Sequence, residues 1–416
     1  MHPKNKINLG TLSIFSHNDT IDLMRYLIIG AGPAGLTVAC RLKQRGLDDF
    51  LIIEKESEAG GLCRSTDVDG TGFDIGGGHF LDTKRPAVDD FLFNYMPRDE
   101  WNRFDRDSRI DLKGQIIGSP IEANIWMLDI DSQIEYLKAI AQAGCVSGTP
   151  MPEKFTDWIF WKLGKKIAED YMLPYNRKMF GEDLDSLGTY WLEKLPDVSF
   201  EDTLRSCLEH KVYAKQPGHA EFFYPKKYGY GEVWLRMQES LGDKIKTGIT
   251  VNELDTENRT VNSEYQADCI INTVPWTEFK EIRGIADEIL EKIPQLKYSS
   301  IVTEYHGENL DTPAHWIYYP DPGKPYHRIL VRHNFCGDSK GYWTETNLTR
   351  YKETGNTRFI NKYAYPLNTI GKNEIVDELL TAMRSRNILG LGRWGEWQHF
   401  NSDVVVERAL NLADSL

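Results

Sequence analysis

Three glycines, Gly30, Gly32 and Gly35, stand between the apolar run Tyr26-Leu27-Ile28-Ile29 and a segment whose apolar residues, Leu36, Val38-Ala39 and Leu42, recur at helical spacing. An ordinary turn into a helix does not need so many. In a G-x-G-x-x-G between strand and helix, the first glycine permits a tight turn and the second lets the backbone approach a pyrophosphate. The third allows the helix to pack closely on the strand, and the helix N-terminus faces the phosphates. A second strand, Phe50 to Ile53, follows and ends in Glu54, which is placed to accept hydrogen bonds from a ribose. The triplet alone would also suit a plain turn. With the two strands, the helix and the terminal acid, it completes a dinucleotide-binding βαβ unit.

The residues after Glu54 narrow the ligand. Gly60-Gly61-Leu62-Cys63-Arg64 and then Gly76-Gly77-Gly78-His79 place two more glycine clusters close behind the first. Glycines so arranged imply backbone lying against a long flat ligand, which favours FAD over a nicotinamide dinucleotide. The pattern resembles the FAD-binding superfamily of amine oxidases, protoporphyrinogen oxidase, phytoene desaturases and UDP-galactopyranose mutases. That resemblance implies two returns of the chain to the cofactor. Lys246 to Leu254 reads as a strand whose Val251 would touch adenine through backbone atoms, and Asp268 to Pro275 as a strand leading into a loop. Later, Gly392-Arg393 and Asn401-Ser402-Asp403 precede a helical run, with Ser402 or Asp403 as its N-cap. Its positive end would face the N1–C2 edge of the isoalloxazine.

A formal net charge of −13 over 416 residues argues against sequence-independent nucleic-acid binding. The six cysteines lack CxxC spacing, so no zinc site and no disulfide framework is expected; no metal ligands are assigned and a reducing, cytoplasmic setting is expected. No apolar run is long enough to span a bilayer, and Lys162, Lys165, Lys166 and Lys226-Lys227 read as a solvated face. Residues 1–23 carry no apolar period and read as a disordered leader.

Between the cofactor segments, Phe155 to Phe180 has helical period and is expected to break at Pro174-Tyr175-Asn176. Trp316 to Arg328 alternates like a strand, turns at Asp321-Pro322-Gly323 and ends on an arginine. Together with Trp191, Ala364-Tyr365-Pro366 and Gly392-Arg393-Trp394-Gly395 leading to Asn401, these stretches resemble the UDP-galactopyranose mutase family. The likeness is more to its eukaryotic branch and extends over most of residues 24–413. The resemblance implies a nucleotide-sugar pyranose/furanose mutase in which the N5 of reduced, non-covalently bound FAD attacks the anomeric carbon and expels UDP. NAD(P)H or another reductant would keep the cofactor reduced. It further implies Arg328 and His79 as catalytic residues, with Asn176, Phe180, Lys194, Trp316, Tyr318, Tyr365 and His399 joining Arg328 around the substrate. Lys194 stands where the family has a mobile-loop arginine, Phe180 where it has tryptophan and His399 where it has tyrosine. A flavin-dependent oxidoreductase of the amine oxidase or protoporphyrinogen oxidase type is the alternative, and a non-catalytic flavin-binding module a third class.

The expected fold class is α/β, with a discontinuous Rossmann-type FAD-binding domain formed by residues 24–110, 240–285 and 381–416. A mostly helical insertion (111–239) and a sheet-rich substrate-binding segment (286–380) would cover the flavin's working face. A homo-oligomer is compatible with this reading; a nucleic-acid or membrane partner is not.

Overall fold

The strand Leu23–Ile29 is the axis of the molecule, and Tyr26 to Ile29 are almost wholly buried. It pairs in parallel with Phe50–Ile53 on one side and with Tyr265–Asn272 on the other. Parallel strands covered on both faces read as continuous apolar runs, as Leu27-Ile28-Ile29 and Cys269-Ile270-Ile271 do. Ile388–Gly390 adds in parallel beside Ile270–Asn272, and Ile245–Lys246 beside Ile52 and Ile53. Thr260–Val261, Glu253–Asp255 and Glu281–Arg283 extend the sheet beyond Tyr265–Asn272 and complete eight strands, the last two of them pairing in parallel. The computed structural model describes residues 23–82, 84–192, 197–213 and 220–416. Of the expected leader only Leu23 is among them, and it begins the first strand. Lys194 lies outside the described residues.

The glycine loop divides its three glycines by cause. Gly30 has φ +94°, and a Cβ there would lie 2.6 Å from the Thr273 hydroxyl oxygen. A Cβ on Gly35 would lie 2.0 Å from the Gly30 carbonyl oxygen, so this glycine lets the helix Pro33–Gln44 sit directly on the turn. Gly32 is different. Its φ is −76° and the nearest atom to a Cβ would be the Gly61 Cα at 3.9 Å. Among the described residues nothing requires glycine there.

A second sheet of seven strands stands over this one. Its order is Arg358–Pro366, Tyr298–His306, Tyr342–Asn347, Arg328–Leu330, Trp316–Tyr318, Ser108–Leu112, Gln115–Gly118. The last two strands come from the border of the expected helical insertion. They form a tight hairpin because Lys113 and Gly114 both take positive φ, the geometry that a two-residue turn needs. The insertion also supplies Glu221–Pro225, which pairs with Trp101–Asp105 and Leu81–Asp82. Among the described residues its longer helices are Ile130–Ala141, Phe155–Ile167, Leu173–Phe180, Phe200–Glu209 and, running past its end, Glu232–Leu241.

Two local expectations change. Helical structure does not stop at Pro174: a π-turn over Ala168–Met172 lets the chain continue, with the proline in the first turn of Leu173–Phe180. There its missing N–H is tolerated. The non-helical kink lies instead at Gly164, φ +73°, where a Cβ would strike the Ala139 carbonyl at 2.3 Å. Lys246 to Leu254 is not one strand but two short ones, Ile245–Lys246 and Glu253–Asp255, separated by a turn through Gly248 at φ +75°.

The glycine geometry carries a stability prediction. Gly35→Ala forces a methyl onto a backbone carbonyl and should lower stability by at least about 1–3 kcal/mol, the scale of overpacking. Gly32→Ala should leave the urea midpoint of the cofactor-free protein close to that of the parent. A loss as large in Gly32→Ala would show that the protein, not a ligand, needs that glycine.

Candidate functional site

Two cavities meet beside the second sheet, and His79, Arg393 and Ser402 line both. The first follows the glycine loop. Its walls include Gly30, Gly32, Glu54, Gly61 and Leu62. One Glu54 oxygen accepts from the Ala31 N–H at 2.6 Å and the other from the Glu56 N–H at 3.0 Å, so the loop itself orients the carboxylate. Gly35 lies behind the wall, packing helix on turn. Val251 is partly buried against the apolar cluster around the central strand and is not on the cavity wall.

The far end of this cavity is built by Gly392, Arg393 and the helix Ser402–Ser415. Gly392 takes φ +79°, where a Cβ would meet the Ala34 methyl at 2.9 Å. Arg393 donates through Nε and Nη2 to the Phe400 carbonyl, at 2.9 and 2.7 Å, and through Nη1 to the Ala364 carbonyl at 3.1 Å. Burial lowers its pKa. The N-cap position is Asn401, one residue before the two expected candidates. Ser402 instead pairs its hydroxyl with Tyr230 at 3.0 Å, and Asp403 forms an ion pair with Arg85 at 2.9 Å.

His79 stands at the junction. Its Nδ1 is 3.0 Å from the Gly77 carbonyl, so that nitrogen carries the proton and Nε2 is left as an acceptor. Burial pushes its pKa down to about 3, and the charges of Arg393 and Arg328 add to the shift. The imidazole is neutral in ordinary buffers.

The second cavity gathers Gly78, His79, Arg106, Trp316, Arg328, Tyr365, His399 and Asn401. Register explains the arginine. Arg328 lies directly opposite Glu345 in the antiparallel pair of Arg328–Leu330 with Tyr342–Asn347. Its Nε and Nη2 reach the same Glu345 oxygen at 2.8 and 2.7 Å, and Nη2 also donates to the Tyr365 hydroxyl at 3.2 Å. Burial alone would lower the Arg328 pKa, but Glu345 and the surrounding tyrosines outweigh it and the net direction is upward. The other Glu345 oxygen accepts from the Gly78 N–H at 3.0 Å. Tyr365 packs against His399, ring centroids 5.0 Å apart, and Trp316 stacks on Phe80 at 5.0 Å.

The remaining expected substrate residues lie off the wall. Asn176 is buried and returns its amide to the Met172 carbonyl at 2.7 Å, one helical turn back. Phe180 packs edge-on against Trp191 and Tyr365. The Tyr318 hydroxyl accepts from the Trp316 indole at 2.8 Å and from Arg106 at 2.6 Å. Two residues at the site were not anticipated. Glu345 sits in Trp343-Thr344-Glu345-Thr346, where an acid inside a strand is itself a signal. Arg106 hides within Asp105-Arg106-Asp107-Ser108-Arg109, which reads as a solvated charge run.

The buried histidines carry a pH prediction. Burial lowers the pKa of His79, of His327 and of His315. Below the ordinary value of 6.5, the unfolded chain takes up protons that the folded chain refuses, so stability should fall as pH drops from 6.5 toward 3. Each such group contributes at most about 1.4 kcal/mol per pH unit in that window. Urea midpoints of the parent and His79→Asn, compared at pH 7 and pH 5, should show a smaller acid loss in the variant. Equal losses would mean that His79 is protonated in the folded state.

Comparison with known proteins gives this arrangement a context. Residues 28–94 match the family described as NAD(P)-binding Rossmann-like domain. A Klebsiella pneumoniae protein described as a probable UDP-galactopyranose mutase is 23% identical over 399 residues, which are 93% of each chain. Among solved structures, a reduced UDP-galactopyranose mutase superposes with a TM-score of 0.85 at 23% identity, covering 94% of this chain and 93% of that one. A putrescine oxidase variant superposes less closely, with a TM-score of 0.61 at 14% identity over 94% and 98%. Over most of its length, in sequence and in fold, the chain therefore resembles the UDP-galactopyranose mutases, on an architecture that it shares with putrescine oxidase.

Proposed function

We propose that the protein is an FAD-dependent nucleotide-sugar mutase that interconverts pyranose and furanose forms, as a UDP-galactopyranose mutase does. The observation that carries this reading is the junction itself. A cavity along the glycine loop reaches His79, Arg393 and Ser402, and the same three residues line a second cavity containing Arg328 and Tyr365.

The residues of the first cavity fit FAD. The open space at Gly32 and the start of the helix Pro33–Gln44 suit a pyrophosphate. Glu54 suits a ribose, and Arg393 with the start of the helix Ser402–Ser415 suits the electron-rich edge of an isoalloxazine. When bound and reduced, the flavin supplies a nucleophilic nitrogen for the anomeric carbon. The chain's own work is then binding and electrostatics. Arg328 and Tyr365 donate to the diphosphate of the substrate and follow its growing negative charge as UDP departs. Glu345 holds the Arg328 fork beforehand, so orientation is settled before the substrate arrives. His79 offers a neutral acceptor nitrogen beside the cofactor. The rings of Trp316, Tyr365 and His399 narrow the space left for water.

Two predictions follow from these roles. Purified protein should carry FAD, and Gly32→Val should empty it while leaving the chain folded, because the branched side chain occupies the pyrophosphate's place. Undiminished FAD in Gly32→Val would remove the cofactor reading. With dithionite, UDP-galactopyranose should yield furanose product with no net consumption of reductant. Arg328→Lys should slow this by about ten- to a hundred-fold, since loss of a charged hydrogen bond is worth roughly 1.5–3 kcal/mol. Peroxide formed stoichiometrically from an amine or porphyrinogen, without sugar isomerisation under reducing conditions, would decide for the oxidoreductase instead.

A further inference from the structure

We infer that Arg106 is a second residue gripping the anionic diphosphate, in the role that the family resemblance gave to Lys194. The inference deepens the nucleotide-sugar reading and rests on it for the identity of the ligand. It begins with charge. A diphosphate diester carries two negative charges into a partly enclosed cavity, and desolvating them is unfavourable unless positive charge is already there. Arg328 does not supply it alone, because Glu345, 1% exposed, already neutralises it. Arg393 is tied to the Phe400 and Ala364 carbonyls on the cofactor side. Arg106 lines the same cavity as Arg328 and Asp82, and among the described residues its hydrogen bonds go to hydroxyls rather than to a carboxylate. The neighbouring Asp107 is taken by Arg109 at 2.8 Å.

Its geometry is set in advance. Nε donates to the Ser108 hydroxyl at 2.5 Å, Nη2 donates to the Tyr318 hydroxyl at 2.6 Å, and the guanidinium carbon lies 4.3 Å from the centroid of the Trp316 ring. These contacts fix the plane of the fork without neutralising its charge, and among the described residues Nη1 has no hydrogen-bond acceptor. A guanidinium held this way offers a phosphate directed N–H groups, and little side-chain freedom remains to be lost on binding. Lysine could not reproduce it, since an ammonium is a point charge with neither the fork nor the flat face that lies on Trp316.

The test is calorimetric titration of the FAD-loaded protein with UDP and, separately, with inorganic pyrophosphate. The proteins are the parent, Arg106→Gln, Arg106→Lys and Lys194→Gln. FAD content and melting temperature of each establish that it is folded. Arg106→Gln is expected to weaken UDP binding by about ten- to a hundred-fold, the scale of one charged hydrogen bond, and to flatten its dependence on salt; Arg106→Lys should fall between it and the parent. Parent-like UDP affinity in folded Arg106→Gln would overturn the inference, as would a loss confined to Lys194→Gln. If the parent binds pyrophosphate through Arg106 but shows no affinity for UDP, the anion site stands and the nucleotide-sugar reading falls. If the parent binds neither, both fall.

Discussion

The two oxygens of one buried carboxylate hold the site together. Glu345 accepts the Gly78 N–H on one oxygen and the Arg328 guanidinium on the other. It thereby joins the glycine loop beside the cofactor cavity to the hairpin that reaches into the second cavity. A buried ion pair of this kind adds little net stability, but removing one partner leaves an uncompensated charge inside the protein. Its value lies in position: the pair fixes where two otherwise separate pieces of chain meet.

The same hairpin is held from its other end. Lys178, on the helix Leu173–Phe180, is 1% exposed and donates to the carbonyls of Tyr319 at 2.9 Å and Tyr326 at 3.2 Å. Burial lowers its pKa to about 8. Those carbonyls flank the turn between Trp316–Tyr318 and Arg328–Leu330. Arg328 is thus braced by a carboxylate across the sheet and, through its hairpin, by a cation on the helical layer. Tyr365 adds a third contact, and its ring couples the arginine to His399.

What could be read from the sequence is what depends on near neighbours. The glycine loop, the helix behind it and Glu54 are local, and their spacing carries their geometry. Arg328 and Tyr365 were legible through family resemblance, and both line one cavity. Glu345 was not legible, because a cross-strand partner is defined only once register is set. Arg106 was masked by the acids around it, whose charges the structure directs elsewhere. Pro174 misled because a π-turn just before it absorbs the missing hydrogen bond. The strand expected over Lys246 to Leu254 misled because Gly248 turns the chain within it.

The central sheet also bears on how the protein is made. Its middle strand cannot finish pairing until Tyr265–Asn272 exists, and the Thr273 hydroxyl closes on the Ile29 carbonyl across 244 residues of chain. The helix Ser402–Ser415 then covers Pro33–Gln44, and Arg41 meets Asp414 across the contact. Contacts so distant in sequence form slowly, since loop closure precedes any gain from packing. During vectorial synthesis the nascent glycine loop therefore leaves the ribosome long before the residues that close the cavity around it. Cofactor loading becomes a late event in the life of the chain, coupled to the arrival of Gly392, Arg393 and the helix that follows them. Until Tyr265–Asn272 arrives, the apolar strand Tyr26–Ile29 has its partner Phe50–Ile53 on one side only, and its other edge is left unpaired.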